Sequence, residues 1–229
     1  RVIKFSNDGK LLAIGSDDSK IYLYNIRDKY TRRAIVSTHK APIMCLDFTV
    51  DSKFLMTVDS TNRIYYFETA TGMNVPSVAA LRDEKWATWS SPVGYPVQGF
   101  WLHQPKGVYP SCIQRSWSGM MVACGNTNGR LYVSHSPCVD SAGFVDNNGH
   151  AGNVSRICWS AGDTYILTIG SNDHTIMQWK CVYDNARESG EEGGLSCEDS
   201  EIERMGGLRS EFQKVKHDDN DLSPHWLMN

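Results

Sequence analysis

The chain has 229 residues, 41% apolar and 21% charged, with a formal net charge of −3. That length allows one large domain or two small ones, and that balance is of the globular kind rather than the fibrous or low-complexity kind. No apolar run approaches the roughly 18 residues of a membrane-crossing helix, so no membrane partner is expected.

The chain opens RVIKFSNDGK, a strand and a turn rather than a leader, and lacks an initiator Met, so we read it as a segment of a longer protein. The turn NDG (7–9) leads into LLAIGSDDSKIYLYNI, whose second turn is Asp17-Asp18-Ser19. After His39 the pattern returns, with VDS (50–52) and then FLMTVDSTNRIYYFET, turning at Thr61-Asn62. Next comes WATWSSPVGYPVQGFW, residues 86–101. We expect a strand from Trp86 to Ser90, a break at Pro92 and Gly94, a Tyr95-Pro96 corner facing solvent, and a second strand from Val97 to Leu102 that forms the inner strand of a third unit. MVACGNTNGRLYVSHS follows, turning at Asn128-Gly129. Gly149-His150, the inner strand VSRICWS (154–160), the turn AGD (161–163) and ILTIGSNDHTIMQWKC, turning at Asn172-Asp173, make the last unit.

These units form a repeat. The first apolar residues after the second turns are Ile21, Ile64, Leu131 and Ile176, separated by 43, 67 and 45 residues. Two separations match the roughly 40 to 45 residue period of a propeller blade, and the third is that period with an insertion. Each unit is expected to be a small antiparallel sheet buried on both faces between its neighbours. Its inner strands are therefore apolar throughout, and its turns carry Asp, Asn, Gly and Ser.

The last unit resembles the WD40 family, whose buried network joins a His, a turn Asp, a strand Ser or Thr and a Trp. His150, Asp173 and Trp179 match, while Ile169 stands where the Ser is expected. In the first unit Asp18 matches and Tyr24 replaces the Trp; in the second His39 matches, with Thr61 for Asp and Phe67 for Trp; the third has Asn128 and Ser134 and no Gly-His. We expect these His and Asp residues to be structural rather than catalytic. The fold class is thus all-β, a WD40-type β-propeller fragment of about four blades, the first one partial, over residues 1–182.

Residues 86–101 with the two units after them resemble the end of a propeller of the echinoderm microtubule-associated protein-like (EMAP-like) family, specifically over residues 83–180. Two departures stand out: HQPKGVYPSCIQRSW replaces an acidic loop, and the third unit closes on Ser134 rather than on an aromatic. The resemblance places Trp86, Trp89 and Trp101 mainly in packing between blades, each covered ring contributing on the order of 2 to 3 kcal/mol. It also implies a cytoplasmic, cytoskeletal protein, at microtubules, in a cilium or the spindle, whose propellers contact tubulin. Tyr95, Lys106, Arg115 and Arg130 are candidate contacts to an acidic partner.

The segment 183–229 has another character. From Cys181 to Asn229 there are twelve acidic against five basic residues, a net of −7, whereas residues 1–180 carry 18 basic and 14 acidic. We expect an acidic tail or linker there. The seven cysteines form no C-x-x-C pair and suit reduced, buried thiols in an intracellular protein. His135 and Cys138 are spaced as two zinc ligands, but a structural site needs four, so neither metal nor cofactor is expected. No phosphate-binding or nucleophile motif occurs, and two arginines at 32 and 33 make no nucleic-acid stripe. Besides the microtubule module, a generic WD40 scaffold in ciliary transport or a ubiquitin ligase, binding other proteins through blade loops, fits the same residues, and a propeller enzyme fits them poorly.

Overall fold

The computed structural model describes residues 1–81, 84–102, 104–139 and 143–181; the acidic segment 183–229 lies outside them. The described residues form fourteen strands in four antiparallel sheets. The first sheet contains β1 (Val2–Phe5), β2 (Leu11–Gly15), β3 (Ile21–Asn25) and β4 (Thr31–Val36). The second contains β5 (Ile43–Phe48), β6 (Phe54–Asp59) and β7 (Ile64–Glu68). The third contains β8 (Pro110–Arg115), β9 (Met121–Asn126), β10 (Arg130–His135) and β11 (Phe144–Asn148). The fourth contains β12 (Val154–Trp159), β13 (Tyr165–Gly170) and β14 (Ile176–Lys180). The first sheet, expected to be partial, carries four strands. In every sheet, neighbours in sequence are neighbours in the ladder.

The repeat marks fall where strand pairing begins. Ile21 opposes Gly15, Ile64 opposes Val58, Leu131 opposes Gly125 and Ile176 opposes Ile169. The four turns before them each contain a left-handed residue: Ser19, Asn62, Gly129 and His174. Short turns between twisted strands require that backbone, which explains their polar, Asn- and Gly-rich composition.

Packing runs between sheets, not within them. Ala13, Ile21 and Leu23 of the first sheet meet Ile43, Leu46 and Phe48 of the second. Met121, Leu131 and Val133 of the third meet Trp159, Ile166 and Trp179 of the fourth. The inner strands β1, β5, β8 and β12 line a shared channel of about 570 Å³. Cys45 and Cys112 lie on this lining, and burial pushes both thiols up to about 12, so they are poor nucleophiles. Among the described residues, nothing covers the outer faces of the first and fourth sheets. The cross-strand row Ile3, Ile14, Tyr22, Ile35 runs over the outer face of the first sheet, with Ile3 61% exposed. Ile169 and Ile176 pair on the outer face of the fourth, with Ile176 72% exposed.

The tryptophan stretch corrects the expectation of two strands. Residues 85–90 run beside the end of β5, but the pairing amounts to one isolated bridge, Thr49 with Trp86, flanked by Ala87 N–H to the Phe48 carbonyl at 2.9 Å and Val50 N–H to the Lys85 carbonyl at 2.7 Å. Val97 to Leu102 is not a strand. Tyr95–Val97 is a 3-10 turn with proline in its first turn, followed by the single-turn helix α1 (Gly99–Leu102). The buried residues are Val97, Gly99 and Phe100, and the two that carry large side chains, Val97 and Phe100, are three apart, a helical spacing. The inner strand of the third sheet is instead β8, inside the segment read as a replaced loop.

The stretch still fills the space between the second and third sheets. Trp89 is buried with Met56, Val97, Phe100, Ile113 and Val122. Its indole N–H donates to the Ser91 carbonyl at 3.0 Å. Gly94, at φ +127°, lies under the ring: a Cβ there would stand 2.5 Å from Cζ2 of Trp89. Trp86 and Trp101 are half-buried, the latter donating to the Pro92 carbonyl at 2.6 Å. Trp89→Ala is expected to destabilise the protein by about 3–5 kcal/mol in urea unfolding, the range for large aromatic truncations, whereas Trp101→Phe, which keeps most of the ring, should cost under about half of that.

Candidate functional site

Two buried networks hold sheet ends together. In the fourth sheet His150 Nδ1 lies 3.0 Å from Asp173 Oδ2, and Nε2 lies 2.7 Å from Thr168 Oγ1, which also accepts from Trp179 Nε1 at 2.8 Å. One proton assignment satisfies every group: His150 Nδ1–H donates to Asp173, and the Thr168 hydroxyl donates to Nε2 while accepting from the indole. The network is therefore complete. Its hydroxyl comes from Thr168, not from position 169, where Ile169 points to the opposite, bare face. Gly149 precedes the His because a Cβ there would stand 2.5 Å from Cη2 of Trp179.

The second sheet repeats this with different donors. His39 Nδ1 lies 2.9 Å from Asp59 Oδ2 and Nε2 lies 2.7 Å from Thr57 Oγ1. Asp59, at the end of β6, supplies the carboxylate that Thr61 was expected to replace; Thr61 instead donates its hydroxyl and N–H to Asp59 at 2.6 and 2.9 Å. Phe67 lacks the indole donor, and the Tyr65 ring stands edge-on to His39 at 4.7 Å. Burial raises the Asp59 carboxyl, but hydrogen bonds from Thr61, His39 and the N–H groups of Arg63 and Thr61 outweigh it, and the net position is about 2. The Asp173 carboxyl is held well below the usual range in the same way, by Ala151 and Thr175 N–H, His150 and the Thr175 hydroxyl acting against burial.

Asp18 belongs to no such network. It is exposed, accepting from the Tyr22 hydroxyl at 2.5 Å and from Lys20 N–H at 3.1 Å. In the third sheet Asn128 accepts weakly from Arg130 N–H at 3.4 Å, and Ser134 donates to the Gly143 carbonyl at 2.8 Å.

Asp–His–Thr is also the constellation of a hydrolase triad. Here the hydroxyl cannot reach a substrate, because Thr57 and Thr168 are both 0% exposed and the Thr168 oxygen already accepts from an indole. The arrangement fixes loops to strands.

Another buried carboxylate, Asp47 on β5, escaped the sequence reading. It accepts from Thr88 Oγ1 at 2.5 Å and from the N–H and hydroxyl of Ser90 at 2.9 and 2.8 Å, so it holds the tryptophan stretch against the second sheet. Lys4 Nζ stands 3.8 Å away from the first sheet. A further one, Asp163, accepts from the N–H groups of Trp117 and Ser118, both at 2.8 Å, fastening the β8–β9 turn to the β12–β13 turn. The signal for both was present: an Asp inside the apolar run IMCLDF, and the hairpin turn AGD.

The candidate contact residues separate. Tyr95 is exposed, as expected of its corner, and so is Lys106. Arg130 is ion-paired with Asp146. Arg115 is half-buried: its guanidinium donates to the Trp86 carbonyl, its N–H donates to the Trp89 carbonyl at 3.0 Å, and burial lowers its pKa. Arg115 and Tyr95 share a groove of about 970 Å³ between the second and third sheets, together with Tyr66, Trp86, Pro96 and Pro137.

Thr168→Val should remove the hydroxyl that bonds both His150 Nε2 and Trp179 Nε1 and cost about 2 kcal/mol or more in urea unfolding, with Thr168→Ser keeping most of the stability. For pH, the Asp59 carboxyl lies at about 2 against an ordinary 3.8, so the unfolded state binds its proton first. Its stabilisation is complete above the ordinary value and is lost as pH falls toward about 2. Unfolding midpoints should therefore fall in that window, and Asp59→Asn should flatten the slope there by up to one proton's worth.

Residues 1–181 match the family model described as the echinoderm microtubule-associated protein second beta-propeller. Echinoderm microtubule-associated protein-like 1 of Rattus norvegicus is 31% identical over 185 residues, covering 79% of this chain and 23% of that protein. The 77 kDa echinoderm microtubule-associated protein of Strongylocentrotus purpuratus is 28% identical over 188 residues, covering 79% of this chain and 27% of that protein. The chain thus spans about a quarter of the length of these relatives. Among solved structures, the beta-propeller domain of Myceliophteria thermophila Cps50 (Swd1) superposes with a TM-score of 0.58 at 13% identity, covering 83% of this chain and 67% of that one, a likeness of fold alone. With WD40-type sheets, a tryptophan stretch seated between the second and third of them and a family match across every described strand, the chain belongs to the echinoderm microtubule-associated protein-like family.

Proposed function

We propose that this chain is a non-catalytic interaction module of a microtubule-associated protein, which contacts tubulin or the microtubule lattice in the cytoplasm. The observation that carries the reading is the family match across residues 1–181, to a propeller of proteins named for microtubule association. Charge supports it: residues 1–180 carry an excess of basic over acidic residues, which favours an acidic surface as partner. The interior supports the non-catalytic part, because both His–Asp pairs are closed by buried threonines.

Mechanistically, such a module binds through the turns at the ends of its sheets, where side chains are free, while the sheets behave as rigid spacers. Exposed Lys106 supplies attraction and registry, and screening by salt weakens it. Co-sedimentation of the intact protein with polymerised tubulin tests this. Pelleting is expected at about 50 mM salt, with a loss of several-fold by about 200 mM. No pelleting at low salt would overturn the reading in favour of a scaffold for another assembly.

A further inference from the structure

The groove between the second and third sheets takes no part in the His–Asp networks, and aromatic and proline side chains make up much of its lining. Its wall is aromatic: the Tyr66 and Trp86 centroids are 5.7 Å apart, and Trp86 meets Trp89 edge-to-face at 6.2 Å. Pro96 and Pro137 add rigid apolar rims, and Tyr95, 66% exposed, stands over it. Val50 and Gly119, from the hairpin turns of the two sheets, border it. Beyond that border Met120 is 66% exposed. Large apolar side chains left in water beside an aromatic cleft mark contact sites.

The charges in the lining select a sign. Arg115 spends a donor on the Trp86 carbonyl, and a guanidinium has five. Among the described residues it has no carboxylate within ion-pairing distance, and the nearby Asp47 is already held by Thr88 and Ser90. A half-buried cation of this kind gains from a carboxylate brought by a ligand. Lys85, exposed on the same lining, has no ion-pair partner among the described residues either. Glu84, the acidic residue of the lining among the described residues, lies in the field of Lys53.

We propose that this groove binds a short extended peptide of another protein, with a proline or aromatic residue against Tyr66, Trp86 and Tyr95 and a carboxylate on Arg115 and Lys85. Aromatic-lined clefts accept extended proline-bearing segments because the peptide is already stiff and loses little entropy on docking. The proposal names a groove and a peptide chemistry rather than an assembly; because Tyr95 and Arg115 are also candidate contacts in the microtubule reading, the closing experiment scores the two claims separately.

The test uses the intact protein and a fluorescein-labelled ten-residue peptide alternating glutamate with proline, with a lysine-for-glutamate peptide and a glycine-for-proline peptide as controls. Saturable anisotropy is expected for the first peptide, with affinity at least about tenfold above both controls. Tyr95→Ser and Lys85→Glu change exposed side chains and should leave the unfolding curve unchanged while each weakens binding about five- to tenfold. Arg115→Met should weaken it further, and its folding is checked by the same curve. Equal binding of the lysine peptide, no binding up to about 1 mM, or indifference to both Tyr95→Ser and Lys85→Glu would overturn the proposal. Self-association abolished by Tyr95→Ser would give the groove to a second copy, and a gain in peptide affinity on neutralising the acidic residues between 182 and 229 would give it to this chain's own terminal segment; either result also overturns it. Peptide binding lost without loss of microtubule pelleting, or the converse, separates the two claims.

Discussion

A small sheet that is apolar on both faces cannot stand in water by itself, and this constraint governs the molecule. Each of the four sheets buries one face, or two, only because another sheet is set against it. The hydrophobic gain scales with the area covered, so sheet-on-sheet contact supplies the fold and the ladders within each sheet supply its register. The polar networks are secondary to this. They anchor the turns at the sheet ends, where backbone groups would otherwise be buried without partners.

The tryptophan stretch follows from the same constraint. Between the second and third sheets the repeat is stretched by an insertion, and the inserted residues enter the core: Trp89, Val97 and Phe100 occupy the space that direct packing fills elsewhere. The backbone that carries them is irregular, so its polar groups need named partners. Asp47 binds Thr88 and Ser90, Arg115 holds the Trp86 and Trp89 carbonyls, and the Ser91 carbonyl accepts from Trp89 itself. The indoles thus divide by depth, one in the core, one on a groove wall and one tethered at the margin.

Where sequence periodicity was regular, it was sufficient. The four second turns, the hairpin turns at 7–9, 50–52 and 161–163, and β12 sit where their polar and apolar spacing put them. It failed at Val97–Leu102 because six residues are too few to separate a period of two from one of 3.6, and aromatic content favoured strand. The hydroxyl of the His150 network was misplaced by one residue. Neighbouring strand residues face opposite sides, so a slip of one exchanges the core-facing Thr168 for the outward Ile169. Asp59 was missed because its carboxylate reaches His39 from the strand end rather than from the turn. The groove has no linear signature, since its walls come from residues 50, 66, 86, 95, 115 and 137, which only the stacking of two sheets brings together.

Among the described residues, the first and fourth sheets each pack against one neighbour, and this gives the described array a direction of weakness. Contacts run from one sheet to the next, so an array of this kind behaves as a short chain of nearest neighbours, and a sheet with a single neighbour opens more readily than one with two. Loosening at Ile176 reaches Trp179 on the same strand before it is felt at Leu131, and loosening at Ile3 reaches Ile21 before Phe48. The second and third sheets, with the indoles between them, would be the last to let go. Whatever molecule or segment covers the terminal sectors therefore tightens the interior indirectly, by removing the two places from which opening can spread.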